Sequence, residues 1–247
     1  MTSSRLEGRR VLILGASAGI GKATSLAVVA AGARVALAAR RLELLESAVA
    51  DAGAGSLGFV CDVRDPAACE RVVDDSVAAL GGLDAVVYAP GLTLFGDIEE
   101  MGLAEWSETF ETNVFGASLI TRAALPHLQS ARGKVIYFSS FSINDRPPRA
   151  GMSVYVASKV ALESMAQAWQ GEHPNIGFTT ITIGDTLTEK SEVTPTEVVA
   201  KWVPRWEAVG LGSGRLMDAD SVAEQVVNIL SSRETVRQLA ITPVRSE

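Results

Sequence analysis

The sequence predicts an α/β fold: a doubly wound parallel sheet of about seven strands flanked by helices, in a single domain. Three observations carry this reading. Short apolar runs recur along the chain, the right length for strands buried on both faces and too short for core helices. Stretches of helical length separate them. The first run, residues 11–14, feeds directly into a turn containing Gly15, Gly19 and Gly21 that opens a helix.

Taken in order, that helix starts near Ile20 and continues to Ala31, and Gly32 stands where a C-cap glycine would. Glycines without a Cβ let a pyrophosphate approach backbone N–H groups at the positive end of a helix dipole. The turn is thus a candidate dinucleotide site, the alternative being a plain strand-to-helix turn. Its GxxxGxG spacing differs from the generic G-x-G-x-x-G. Residues 34–40 form the second strand, ending in Ala39, Arg40 and Arg41 with no acid. An acid here binds ribose hydroxyls, whereas an arginine accommodates a 2′-phosphate, so NADP(H) is expected over NAD(H). The other reading makes Arg40 and Arg41 solvated residues opening the next helix.

Residues 42–52 are the second helix and 57–60 the third strand, followed by Asp62; Asp65 and Pro66 read as N-cap and N1 of a helix to about Leu80. Residues 83–89 are the fourth strand, leading to Gly91. Residues 102–128 are mostly helical and contain Asn113, mildly unfavourable there unless it makes a hydrogen bond. Residues 134–139 form the fifth strand with Ser140 at its end, 176–183 the sixth, 218–231 a helix capped by Asp218 or Asp220, and 237–243 the seventh strand. Gly15, Asp62, Gly91 and Ser140 all fall at carboxyl ends of strands, where open parallel sheets place their ligand crevice.

Composition narrows the function. The 247 residues carry a net charge of -7 with a pI near 5.0, which argues against a nucleic-acid partner. The polar start and an apolar run that stops at Gly15 offer neither a secretory core nor a membrane span, so no membrane partner and a cytoplasmic location are expected. Cys61 and Cys69 lack zinc or redox spacing and are expected to stay reduced; His127 and His173 are the only histidines, so no metal site is expected.

Tyr155 to Lys159 spell YxxxK, which on a helix puts phenol and ammonium on one face. With the GxxxGxG turn, Asn113 and Ser140 in the same order, this resembles the short-chain dehydrogenase/reductase family over nearly the whole chain. The resemblance implies a Rossmann-type fold and an NADP(H)-dependent oxidoreductase interconverting a ketone or aldehyde and an alcohol by hydride transfer. Tyr155 is then the general acid or base, its pKa lowered from ~10 by Lys159. Lys159 also binds the nicotinamide ribose, Ser140 orients the substrate carbonyl, and Asn113 holds a water relaying protons to Lys159. Ser142 lies at the more typical separation from Tyr155 and competes with Ser140 for that role.

The implied cofactor contacts are Gly15, Ser17, Ala18, Gly19, Ile20 and Gly21 at the pyrophosphate and Arg40 and Arg41 at the 2′-phosphate. Asp62 and Val63 follow at the adenine, with Ala89, Gly91, Tyr155, Lys159, Gly184, Thr186 and Thr188 towards the nicotinamide. A homotetramer or homodimer is implied as well.

The chain departs from the family pattern at Leu14 (usually Thr), at Tyr88 and Ala89 (asparagines of NNAG) and at Ile183 (proline of PGxxxT). Residues 144–151 look like an insertion, whose Arg146 and Arg149 either meet an acidic substrate or are solvated or at a subunit contact. Residues 185–217 resemble a substrate lid, whose Trp202 and Trp206 either form its apolar underside or pack into a subunit interface. Other readings are a weakly active NADP(H)-sensing protein, or the same apparatus working as an enoyl reductase or epimerase.

Overall fold

Parallel pairing of apolar strands organises the chain. The computed structural model describes residues 4–188, 196–211 and 215–243. In chain order its main elements are β1 (Arg10–Leu14), α1 (Gly19–Ala30), β2 (Arg34–Ala39), α2 (Leu42–Ala52), β3 (Ser56–Val60), α3 (Pro66–Leu80) and β4 (Ala85–Tyr88). There follow α4 (Leu103–Phe110), α5 (Gly116–Ala131), β5 (Lys134–Ser140), α6 (Ser153–Glu172), β6 (Gly177–Ile183), β7 (Thr186–Leu187), α7 (Thr196–Glu207), β8 (Met217–Asp218), α8 (Ala219–Ser231) and β9 (Gln238–Ile241).

The seven-stranded sheet runs β3-β2-β1-β4-β5-β6-β9, every pair parallel, which is the predicted Rossmann-like architecture. Alternation along β1 feeds two cores. Leu12 and Leu14 join the cluster under α3, α5 and α6, and Val11 and Ile13 the one under α1, α2 and α8. Both faces are therefore sealed, and the sheet order reverses between β1 and β4. That switch point opens a crevice at the carboxyl ends of the two strands.

Local chemistry sets the element ends. Asp65 accepts from Ala67 N at 2.9 Å with Pro66 behind it, as expected of an N-cap and N1 proline. Gly32, φ +93°, follows the C-cap of α1 in the left-handed region. Strand β4 is shorter than residues 83–89; just before it, Asp84 receives Arg10 through both carboxylate oxygens, each at 2.9 Å. The expected helix at 102–128 is divided by a π-turn at Glu111–Phe115, a local widening that propensity does not signal. The β7–β8 bridge was not expected either. Of the expected lid, residues 189–195 and 212–214 lie outside the described residues. Among those described, no helix is long and apolar enough to cross a membrane, and no group of His, Cys, Asp and Glu is placed to hold a metal.

Candidate active site

The crevice is built by close backbone approach. At Gly15, φ +72°, a Cβ would lie 2.9 Å from Pro90 N, so only glycine lets the turn after β1 touch the segment after β4. A Cβ at Gly21 would collide with the Gly15 carbonyl. Pro90 can occupy this junction because the neighbouring Ala89 N–H makes the strand-end bond, to Leu14 O at 3.1 Å. At Gly19, φ +52°, a Cβ would lie 3.3 Å from the Thr188 side chain, so the first turn and the segment after β6 meet. Ala18 is the N-cap of α1 and offers no side-chain acceptor, and its first turn carries no acid. The positive end of α1 thus opens on the crevice without a capping carboxylate, which fits a bound phosphate. Ser17 and Ile20 are half-buried beside it.

At the far end of the crevice Arg40 is exposed after β2, and Arg41 is the N-cap of α2. Asp62 is gripped by Arg64 (Nε 3.1 Å, Nη2 2.8 Å, backbone N 3.0 Å). That grip, outweighing partial burial and helped by Arg40, holds its carboxyl below the usual carboxylate range. The Val63 side chain is buried in the core against Gly116.

The chemical end lies where β4, β5 and α6 converge. Lys159, buried on α6, donates to Phe138 O at 2.8 Å and stands 5.7 Å from the centre of the Tyr155 ring. A Cβ at Gly91 would come 3.7 Å from Lys159 Nζ, so Gly91, Tyr155 and Lys159 share one space. Ser140 and Thr93 lie close enough to the Tyr155 phenol to pull its pKa down against the effect of burial. Ser142 is buried beside Ser140, its hydroxyl 2.8 Å from that of Ser140. Asn113 is fully buried; it donates to Leu92 O and Ser158 Oγ, both at 2.9 Å, and accepts from Leu92 N at 2.7 Å. Its side chain therefore secures the loop that carries Gly91 and Thr93.

The expected lowering of the Tyr155 pKa by Lys159 is not what this geometry produces. Burial pushes the phenol above its ordinary value; the Ser140 and Thr93 side chains and the Arg149 charge offset this only in part. Lys159 stands 5.7 Å from the ring centre and donates a hydrogen bond to Phe138 O.

A model of the short chain dehydrogenase family matches residues 9–197. The chain belongs to the short-chain dehydrogenase/reductase family. It is 38% identical over 177 residues to 11-beta-hydroxysteroid dehydrogenase 1A of Arabidopsis thaliana, covering 69% of this chain and 50% of that one. The chain thus spans about half the length of the first curated relatives it matches. A short chain dehydrogenase from Burkholderia cenocepacia J2315, solved in complex with NADP, superposes with a TM-score of 0.82 at 28% identity, covering 96% of this chain and 98% of that one. A dehydrogenase/reductase from Sinorhizobium meliloti 1021 gives 0.84 at 26% identity, covering 98% and 96%.

As a short-chain dehydrogenase/reductase the chain repairs one of its departures. Tyr88, in place of an asparagine, is buried and donates to Thr112 O at 2.6 Å, at the π-turn that carries Asn113. Arg149 is largely buried and pairs with two carboxylates of this chain. Its Nε donates to Asp145 at 2.6 Å and its two terminal nitrogens to Asp185 at 2.8 and 3.0 Å, with its guanidinium carbon 5.4 Å from the Trp206 ring centre. On α7, Trp202 is buried against Gly151, where a Cβ would strike the indole, and Trp206 faces Phe95 at 5.8 Å. Thr93, Asp145 and Asp185 were missed in the sequence; nothing marks them except closeness to Gly91, Ser142 and Gly184.

Proposed function

We propose that this short-chain dehydrogenase/reductase is an NADP(H)-dependent oxidoreductase that interconverts a ketone or aldehyde and an alcohol. The observation that carries it is the shared space of Tyr155, Lys159, Ser140 and Gly91, with the Lys159 ammonium 5.7 Å from the Tyr155 ring centre. When bound, the nicotinamide cofactor supplies or accepts the hydride. The protein's part is to position and to handle the proton. Ser140 and Thr93, beside the phenol, orient a carbonyl oxygen. Tyr155 Oη, protonated in its buried setting, gives its proton to that oxygen as it becomes an alkoxide, and takes it back in the reverse direction. Lys159 holds a cofactor ribose from the floor of the site, and Asn113 fixes the loop above it.

Preference for NADP(H) is supported by Arg40 and Arg41 at the end of β2, where no carboxylate repels a 2′-phosphate. The same proposal assigns cofactor contact to Gly15, Ser17, Ala18, Gly19, Ile20, Gly21, Asp62, Val63 (by backbone), Ala89, Gly91, Gly184, Thr186 and Thr188. It also includes a cytoplasmic location and an assembly of two or four copies, the latter supported by the exposure of Phe115 and Val160. The sensor alternative loses ground because Tyr88, a departure that suggested decay, makes a buried hydrogen bond of its own.

The test is NADPH consumption by the purified protein across a panel of ketones and aldehydes, with NADH in parallel. Carbonyl-dependent oxidation of NADPH supports the proposal; tight NADPH binding with no turnover on any carbonyl contradicts it.

A further inference from the structure

We infer that the end of the sheet opposite the crevice carries a second binding site, for a small anion bearing one or two phosphate groups. Strand register places it. Val11 pairs with Ala85 and Ala85 with Lys134 at the amino ends of β1, β4 and β5, and these residues line a cavity of about 230 Å³. Its charged lining is Arg9, Arg132, Lys134 and Arg233 against Asp84, a net charge of +3 in a chain whose total is -7. The charged neighbours just outside leave that sum unchanged. Arg10, which holds Asp84 through both carboxylate oxygens, is offset by Glu234, whose carbonyl receives Lys134.

Helix C-termini attract cations, so the plain explanation is that these residues only complement the carbonyls that end α5 and α8. Other residues already do that at this end of the sheet. Lys134 Nζ donates to Ile229 O and Ser232 O, each at 2.7 Å, and to Glu234 O at 3.0 Å. Arg5 donates to the side chains of Asn228 and Ser231, and Arg34 to Leu80 O and Ala79 O at the end of α3. By contrast, the side chains of Arg9, Arg132 and Arg233 make no hydrogen bond or ion pair among the described residues. Arg132 moreover stands at φ +50°, the one non-glycine in the left-handed region among the described residues, where glycine is favoured. Three uncommitted guanidinium forks around one cavity suit the several oxygens of a phosphate. The volume is below the roughly 300 Å³ at which clefts for drug-sized ligands begin, which limits the ligand to a phosphate or diphosphate group with little attached.

The experiment titrates inorganic pyrophosphate into the full chain by calorimetry at constant ionic strength, with acetate as a monovalent control. Pyrophosphate could also settle at the start of α1, so the titration is repeated on Ala18→Asp, whose carboxylate at the N-cap of α1 would repel it there. Binding with a dissociation constant of about 1 mM or below is expected in both proteins. Arg9→Gln, Arg132→Gly and Arg233→Gln should each weaken it by about threefold, and the three together by about tenfold or more. Should the triple variant not fold, Arg132→Gly decides, since it puts the favoured residue in the left-handed position. No binding to the native chain, binding lost in Ala18→Asp, binding indifferent to all of the arginine changes, or acetate binding as tightly as pyrophosphate overturns the inference.

Discussion

The Tyr88 hydroxyl reaches the carbonyl of Thr112, 2.6 Å away, through the space left by the missing side chain of Gly116. The phenol is buried, and burial pushes its pKa well above the ordinary tyrosine value, so it serves as a permanent donor. It supports the π-turn from which Asn113 holds Leu92. The pair makes a prediction. Gly116→Ala should cost about 1–3 kcal/mol by overpacking against the phenol and Val63, and Tyr88→Phe a similar amount by orphaning the Thr112 carbonyl. Combined, they should cost less than the sum, because the phenylalanine removes the oxygen that the new methyl strikes. Urea denaturation of the four proteins measures this; strict additivity would contradict the coupling.

Arg149→Leu should destabilise the protein by about 3 kcal/mol, the low end for breaking a buried ion pair because Asp185 keeps a third of its side chain in water. Asp145, 5% exposed, is the carboxylate stranded by the change. An unfolding midpoint unmoved in urea would show that Arg149 is not the anchor described.

Arg40→Asp should shift the ratio of kcat/KM for NADPH over NADH by about a hundredfold towards NADH, since it removes an attraction and adds a repulsion at the 2′-phosphate. Steady-state rates with the two cofactors measure it. An unchanged ratio would return Arg40 to the role of a solvated helix-opening residue.

Asp84 sets part of the acid limit of stability. Partial burial pushes its carboxyl up, but the hydrogen bonds and charge of Arg10 outweigh that and hold it below its usual range. Its folded pKa is thus depressed, so its contribution is present above about pH 4 and is lost as pH falls through the lower, folded value. Asp84→Asn should lower stability at neutral pH and flatten its decline below about pH 4. Chemical denaturation at a series of pH values tests this; a parallel acid limb in both proteins would refute it.

Much of the fold was legible because it rests on local patterns. The apolar runs at β1, β2 and β5 and the Asp65-Pro66 cap each follow from short-range chemistry. The convergence of Gly15, Gly91, Ser140, Tyr155 and Lys159 was legible from motif order and from the rule that parallel sheets bind at their carboxyl ends. What escaped notice depends on partners distant in sequence. Arg149 reads as a loop arginine until Asp185, 36 positions later, is seen to grip it. Tyr88 reads as a lost asparagine until Thr112 supplies its acceptor. The direction of the Tyr155 shift was missed for a like reason: YxxxK spacing brings the lysine near the ring, but not how deeply the phenol is buried or that Lys159 turns to Phe138.

The central claim is that the Tyr155 phenol delivers the proton in an otherwise intact dinucleotide site. Its most direct test is Tyr155→Phe, compared with the native protein for NADPH affinity and for the rate of carbonyl reduction. The account predicts that the variant binds NADPH within about threefold of the native protein, and that its kcat falls by about a hundred- to ten-thousandfold. A variant that reduces the carbonyl at the native rate would contradict it.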